Sequence, residues 1–183
     1  CGEDVSRKTP GEIRRRGVSF IPEDRMTTGV DGKASVAENL LVGKQRRPEF
    51  SLLGGLHLRR RQVKKYAAEQ AKKFDIRMSG VDDPVSSLSG GNMQKVVIAR
   101  EFSFDSPVLV ISQPTRGVDI GAIEFIHERI MQKRNEGCAI LLISADLDEL
   151  FRLSDRLVTL YEGRITGSFR TEEITREEIG YYM

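Results

Sequence analysis

Apolar positions along the chain switch between two periods. Val18-Ser19-Phe20-Ile21 is a strand pattern, stopped by Pro22. Residues 29–32, bounded by glycines, read as a loop. Ser35 stands as an N-cap with Glu38 three residues on as its capping-box partner, predicting a short helix over 36–42. Residues 46–55 are irregular. A helix is predicted over 61–74, with Val63, Tyr66, Ala67, Ala71 and Phe74 on one face and basic residues on the other. Residues 78–88, with Gly80 and Pro84, form a loop. Another helix starts near Gly90, with Met93, Val96 and Val97 facing inward. Val108-Leu109-Val110-Ile111 and Ala139-Ile140-Leu141-Leu142-Ile143 are continuous apolar runs, the pattern of strands buried on both faces. Between them an amphipathic helix spans 120–134, with Asp119 as cap and Ile123, Ile126, Ile130 and Met131 in register. A short helix at 147–153 precedes a hairpin, 155–161 and 164–169, about the turn Glu162-Gly163. The acidic tail is expected to end in a helix.

Buried strands alternating with helices imply an α/β protein with a mostly parallel core sheet. Residues 35–87 carry helices but no comparable strand, so they read as a helical subdomain, and the C-terminal hairpin adds to the core. No internal repeat or low-complexity segment interrupts this order.

A chain of 183 residues, 39% hydrophobic and 31% charged, suits one folded domain rather than a disordered segment. The net charge of +2 gives no dominant basic field, so nucleic acid is not an expected partner. Charge is uneven: Lys44, Arg46, Arg47, Arg59, Arg60, Arg61, Lys64 and Lys65 face Glu49 alone, and the tail holds Glu172, Glu173, Glu177 and Glu178. That basic stretch reads first as a solvated helix face, and alternatively as a contact for anionic headgroups or a membrane-subunit loop. Two cysteines, Cys1 and Cys138, make no disulfide framework, and a reducing compartment fits. The longest clean apolar run, 138–143, falls far short of the roughly 20 residues that span a bilayer. The first residues are polar, start mid-pattern and lack an initiating Met. The chain therefore reads as a piece of a longer protein, held at a membrane, if at all, by partners.

Ser89-Gly90-Gly91 opens a helix. Two glycines let backbone approach a phosphate, and free N–H groups at the positive helix end favour an anion. Ser89 can cap the helix or donate to a phosphate oxygen. The whole string, Leu88-Ser89-Gly90-Gly91-Asn92-Met93-Gln94-Lys95, resembles the signature of the ABC transporter ATP-binding domains. Other motifs follow in family order. Ile21-Pro22-Glu23-Asp24-Arg25 looks like the Q-loop. The strand at 108–111 with Ser112-Gln113-Pro114-Thr115-Arg116-Gly117-Val118-Asp119 looks like Walker B and the D-loop. Leu141-Leu142-Ile143-Ser144-Ala145-Asp146 resembles the switch strand. The resemblance implies a partial P-loop NTPase fold of the ABC type. Residues 1–34 would form the Q-loop region of the core, 35–105 a helical and signature subdomain, and 106–183 the remaining core.

The departures from the family pattern carry information. Walker B ends in Asp-Glu in the family, the Asp in the Mg²⁺ shell and the Glu on the attacking water; here Ser112 and Gln113 stand there, and neither carries the needed charge. Ala145 replaces the switch histidine and Glu23 the Q-loop glutamine. No Gly-x-x-x-x-Gly-Lys-Ser/Thr exists in the chain; it would precede Cys1 in a whole domain. No cis catalytic set is therefore intact, while Leu88, Ser89, Gly90, Gly91 and Gln94 stay available to a nucleotide held by another domain, with Glu23 for coupling and Asp119 in the D-loop. A purely structural, dead domain is the competing expectation.

Glu23-Asp24-Arg25 and Pro114-Thr115-Arg116-Gly117-Val118-Asp119-Ile120-Gly121-Ala122 are similar to the second ATP-binding domain of fused sugar-type importers. The run from Gln113 to His127 looks nearest to the nucleoside branch, which pairs with basic-membrane-lipoprotein-type binding proteins, with ribose-like sugars as runner-up. The resemblance implies ATP and Mg²⁺ in the full-length dimer, with none held tightly by this chain alone. The implied partners are a fused ABC domain, two permease subunits and an extracytoplasmic solute-binding protein, which would place the chain at the cytoplasmic face of the membrane. No metal-ligand spacing surrounds His57 or His127, and His127 is expected at a surface or boundary. Arg116 is expected to form a surface salt bridge or to brace a dimer interface, and Cys138 to pack as a small apolar residue.

Overall fold

The computed structural model describes residues 2–183, with every side chain but that of Leu53; expectations on Cys1 lie outside the described residues. A first compact unit reaches Leu141 and a second runs from Leu142 to Met183.

In the first unit α1 (Pro10–Arg15) leads into β1 (Val18–Ile21), which pairs in parallel with β4 (Val108–Ser112), Val18 opposite Val108 and Ile21 opposite Ile111. The sheet order is β1-β4-β5, where β5 is Ala139–Ile143. Ser35 accepts the Glu38 N–H while the Glu38 carboxylate takes the Ser35 N–H, so the expected capping box starts α2 (Val36–Leu41). α3 (Arg60–Lys73) buries Val63, Ala67 and Ala71. α4 (Gly90–Phe102) is the centre of the fold. Every residue from Met93 to Phe102 is buried, and the helix packs on β1, α2, α3 and α5 (Ile120–Asn135). A helix buried all round needs its polar side chains paired. Glu101, at the C-terminal end, has no exposure and meets Arg14 at 2.9 Å and Arg100 at 2.8 Å. Lys44 is also buried there. Its ammonium donates to the Ser103 hydroxyl at 2.5 Å and the Arg100 carbonyl at 3.3 Å, and lies 4.1 Å from the Phe104 ring centre. Burial pushes this ammonium down to about 7, Arg47 adds to the fall, and Glu101 opposes it.

Several sequence expectations are corrected. α1 lies where no helix is expected: it buries nothing, so it has no apolar period, and the Thr9–Glu12 capping box with Pro10 in the first turn marks it. Residues 46–55 are not wholly irregular, because β2 (Ser51–Leu52) pairs antiparallel with β3 (His57–Leu58) in a small hairpin. Residues 25–29, between β1 and the loop, wind into one wide helical turn capped by Asp24. The inner face of α5 keeps Ile126 and Ile130 of the expected register but not its two outer members. Ala122, Ile126, His127 and Ile130 are buried, while Ile123 and Met131 are half-buried, so His127 is not a surface residue. In β4 only Leu109 and Ile111 are fully buried. β5 is not buried on both faces: Leu141 is 58% and Ile143 48% exposed. An apolar run states what a strand tolerates, not which element lies over it.

In the second unit α6 (Leu147–Leu153) precedes the expected hairpin, β6 (Arg156–Tyr161) and β7 (Arg164–Arg170). Glu162 and Gly163 both take positive φ, 46° and 76°, as the mirror-image turn that suits strand twist requires. The tail forms α7 (Arg176–Gly180), which buries Ile179. Arg176 pairs with Asp148, and Tyr182 stacks near Phe169 with ring centres 4.9 Å apart.

Candidate functional site

The N-terminus of α4 is held by its neighbours, and only its first residues are left open. Ser89 is exposed and caps the helix: its Oγ accepts the Asn92 N–H at 3.4 Å and the Asn92 side-chain amide at 2.9 Å. The Asn92 side-chain oxygen Oδ1 in turn accepts the Arg77 N–H at 2.8 Å, which ties the loop after α3 to the same turn.

The two glycines serve close packing within this chain. A Cβ on Gly90 would stand 2.7 Å from Nη2 of Arg25 and 3.3 Å from the Gly117 carbonyl. A Cβ on Gly91 would stand 2.8 Å from Oδ2 of Asp119 and 3.2 Å from the Ala122 Cβ. Arg25 is the brace: Nη1 donates to the Arg116 carbonyl at 2.7 Å and Nη2 to the Gly117 carbonyl at 3.1 Å. Arg116 pairs with Glu23 across the same junction, so the expected surface salt bridge is present and its partner is the Q-loop position. Asp119 caps α5 by accepting the Ala122 N–H at 2.9 Å. Hydrogen bonds from Thr27 and Met26 hold the Asp24 carboxyl below the usual range and fix the turn that carries Arg25. Beside Gly91 and Asn92 a cleft of about 140 Å³ is lined by Asp75, Arg77, Lys95 and Asp119. Lys95 donates to the Asp75 carboxylate at 2.7 Å and holds it below its ordinary range.

Glu23, Ser89, Gly90, Gly91 and Asp119 thus come together around one junction. Leu88 is buried beneath it. Gln94 is 1% exposed, so it is buried in the core of this chain. Sequence reasoning missed the brace formed by Arg25: the Glu-Asp-Arg string marked its place, but its partners lie 91 and 92 positions away.

Ser112 closes β4, half-buried, and Gln113 follows with φ 47°. A hydroxyl and a carboxamide lack the anionic oxygen donors that Mg²⁺ requires, and no group of His, Cys, Asp or Glu among the described residues could hold a metal. The cis positions therefore do not fit Mg²⁺. Ala145, in the second unit, precedes Asp146, which caps α6 by accepting the Asp148 N–H at 2.8 Å. A methyl group there supplies neither a donor nor a titrating group. No helix of the described residues is long and apolar enough to cross a membrane.

Known proteins resemble this chain in sequence and fold. Residues 2–116 match the family model described as ABC transporter. A nucleoside import ATP-binding protein of Lactococcus lactis is 40% identical over 181 residues, covering 99% of this chain and 35% of its own length. A ribose import ATP-binding protein of Rubrobacter xylanophilus is 40% identical over 178 residues, covering 97% and 34%. The chain therefore spans about a third of the length of these relatives. A crystal structure of a nucleotide-free ATP-binding cassette from an ABC transporter superposes with a TM-score of 0.71 at 24% identity, over 98% of this chain and 70% of that one, which shows a shared fold. Motif order, fold and family match agree: this chain belongs to the ABC transporter family.

Proposed function

We propose that the chain is the C-terminal, degenerate ATP-binding half of a fused importer and that it works by lending a surface. The open first turn of α4, with Ser89, Gly90 and the Gly91 N–H, would complete a nucleotide site whose P-loop, Mg²⁺ and hydrolytic acids belong to a partner ABC domain. The observation that carries this reading is a contrast. The signature end is complete and braced, whereas Ser112 and Gln113 have no charge to give. Phosphoryl transfer depends chiefly on positioning and charge stabilisation, so a donor turn without a cis acid can still contribute. Alone, the chain is expected to bind nucleotide weakly and to hydrolyse none.

The importer would sit at the cytoplasmic face of the membrane with two permease subunits and an extracytoplasmic solute-binding protein. A nucleoside is the solute that the first relative's name supports, and a ribose-like sugar is the second reading, on the other relative's name.

The test is Ser89→Asp in the full-length protein. Asp caps a helix as well as Ser does, so the fold is kept, but its charge repels a phosphate. ATPase activity and uptake should fall at least tenfold, roughly the loss of one oriented phosphate contact. Unchanged activity would leave only a structural role for α4.

A further inference from the structure

The basic residues of 44–65 separate in the fold. Lys44 turns inward to the end of α4, while Arg46, Arg47, Arg59, Arg60 and Arg61 stay exposed around the β2–β3 hairpin. The tip of that hairpin carries Leu52, 45% exposed, and Leu56, 86% exposed; Leu58, 38% exposed, follows opposite Ser51. Gly54 and Gly55 both take positive φ and make the bend. Cγ of Arg46 lies 3.4 Å from where a Gly55 Cβ would be, so this arginine flanks the tip. On the other side β3 runs straight into Arg59, whose N–H donates to the Phe50 carbonyl at 2.8 Å, and on to Arg60 and Arg61 in the first turn of α3. Nearby ion pairs join Arg47 to Glu49, Lys64 to Asp82 and Lys65 to Glu69. Arg46, Arg59, Arg60 and Arg61 have no carboxylate within 4.0 Å among the described residues.

Exposed leucines are poorly served by water, and the arginines on either side of them that lack a carboxylate partner leave positive charge to be matched. An apolar layer beneath a layer of phosphates serves both parts at once. A protein partner would need a contact of about 800 Å² a side, more than a two-strand tip offers. We propose that the β2–β3 tip and its arginine collar dock on the surface of an anionic phospholipid bilayer. The leucines enter the boundary between headgroups and acyl chains, and the guanidiniums pair with lipid phosphates. Neither signal suffices alone; together they give reversible binding that depends on salt. The inference does not depend on the nucleotide chemistry proposed above.

The test is co-sedimentation of the purified protein with vesicles of phosphatidylcholine containing roughly one-third phosphatidylglycerol. Binding is expected at about 0.05 M salt and release at about 0.5 M, where screening is short-ranged. Leu56 supports no packing, so Leu56→Asp should leave the circular dichroism unchanged and weaken binding at least about tenfold. A triple variant, Arg59→Gln with Arg60→Gln and Arg61→Gln, should weaken it by roughly a hundredfold, at about fivefold per charge. No binding to these vesicles at low salt would overturn the proposal, as would binding unaffected by either variant. So would a defect confined to assembly with detergent-solubilised membrane subunits, which would make the patch a protein dock.

Discussion

The two ends of α4 treat polarity in opposite ways. At the N-terminus Ser89 is exposed, the glycines press against Arg25 and Asp119, and the first turn faces outward. At the C-terminus Glu101 and Lys44 are sealed in, Glu101 beside Arg14 and Arg100 and Lys44 against Ser103. One end is held in place from its sides so that its face can stay open. The other uses its charges on the protein itself. Buried charge is costly unless paired, so a sealed end contributes stability only while each partner is present. An open end contributes little stability and leaves its donors for a ligand.

This contrast predicts an ordered set of effects. The largest belongs to the sealed end: Glu101→Ala leaves Arg100 buried without its carboxylate and should cost about 3–5 kcal/mol in chemical denaturation. A loss within the noise of surface variants would mean that the pairing there is ornamental.

Lys44 should come next, through pH. Its pKa is lower in the folded chain, about 7, than in the unfolded one, near 10.5. Below pH 7 both states carry the proton and the full cost of the buried cation is felt. Between 7 and 10.5 the unfolded state binds more protons, so stability rises with pH. From pH 6 to 9 the gain should be roughly 2–3 kcal/mol, and Lys44→Met should flatten that part of the profile. A variant with the same pH slope as the parent would refute the assignment to Lys44.

The smallest effect on stability belongs to the open end. Gly91→Ala would force a Cβ against Asp119, and the strain would be offset in part by the better helix former. A net cost near 1 kcal/mol is expected, with loss of the Asp119 cap visible as faster amide exchange at the start of α5. A cost equal to that of Glu101→Ala would erase the difference between the ends.

Much of this was legible from local pattern. The capping box at Ser35 and Glu38, the turn at Glu162-Gly163, α6 and the parallel strands each depend on residues within a few positions of one another. The α5 register holds at Ile126 and Ile130 but not at Ile123 and Met131, which suit the core as well as Ala122 and His127 do, so that only the packing on its neighbours decides between them. β5 carries apolar residues on both sides of its pleat, but sequence does not say what lies over them. The junction at the signature was half legible. Its motifs could be named in order, whereas the brace formed by Arg25 depends on a contact across most of the first unit, for which no period or spacing exists. Gln94 sits in the signature string yet lies in the core, since a motif records positions and not the direction in which each side chain points.

Asn92 has a consequence for the proton of its neighbour. A serine hydroxyl has two lone pairs and one hydrogen. Both lone pairs of Ser89 Oγ are engaged by Asn92, one by its backbone N–H and one by its amide. The remaining valence is the O–H itself, which can only donate. Asn92 therefore sets the polarity of Ser89: an oxygen atom that could serve either way is left, before any ligand arrives, with its O–H as the group still to be placed, a hydrogen-bond donor.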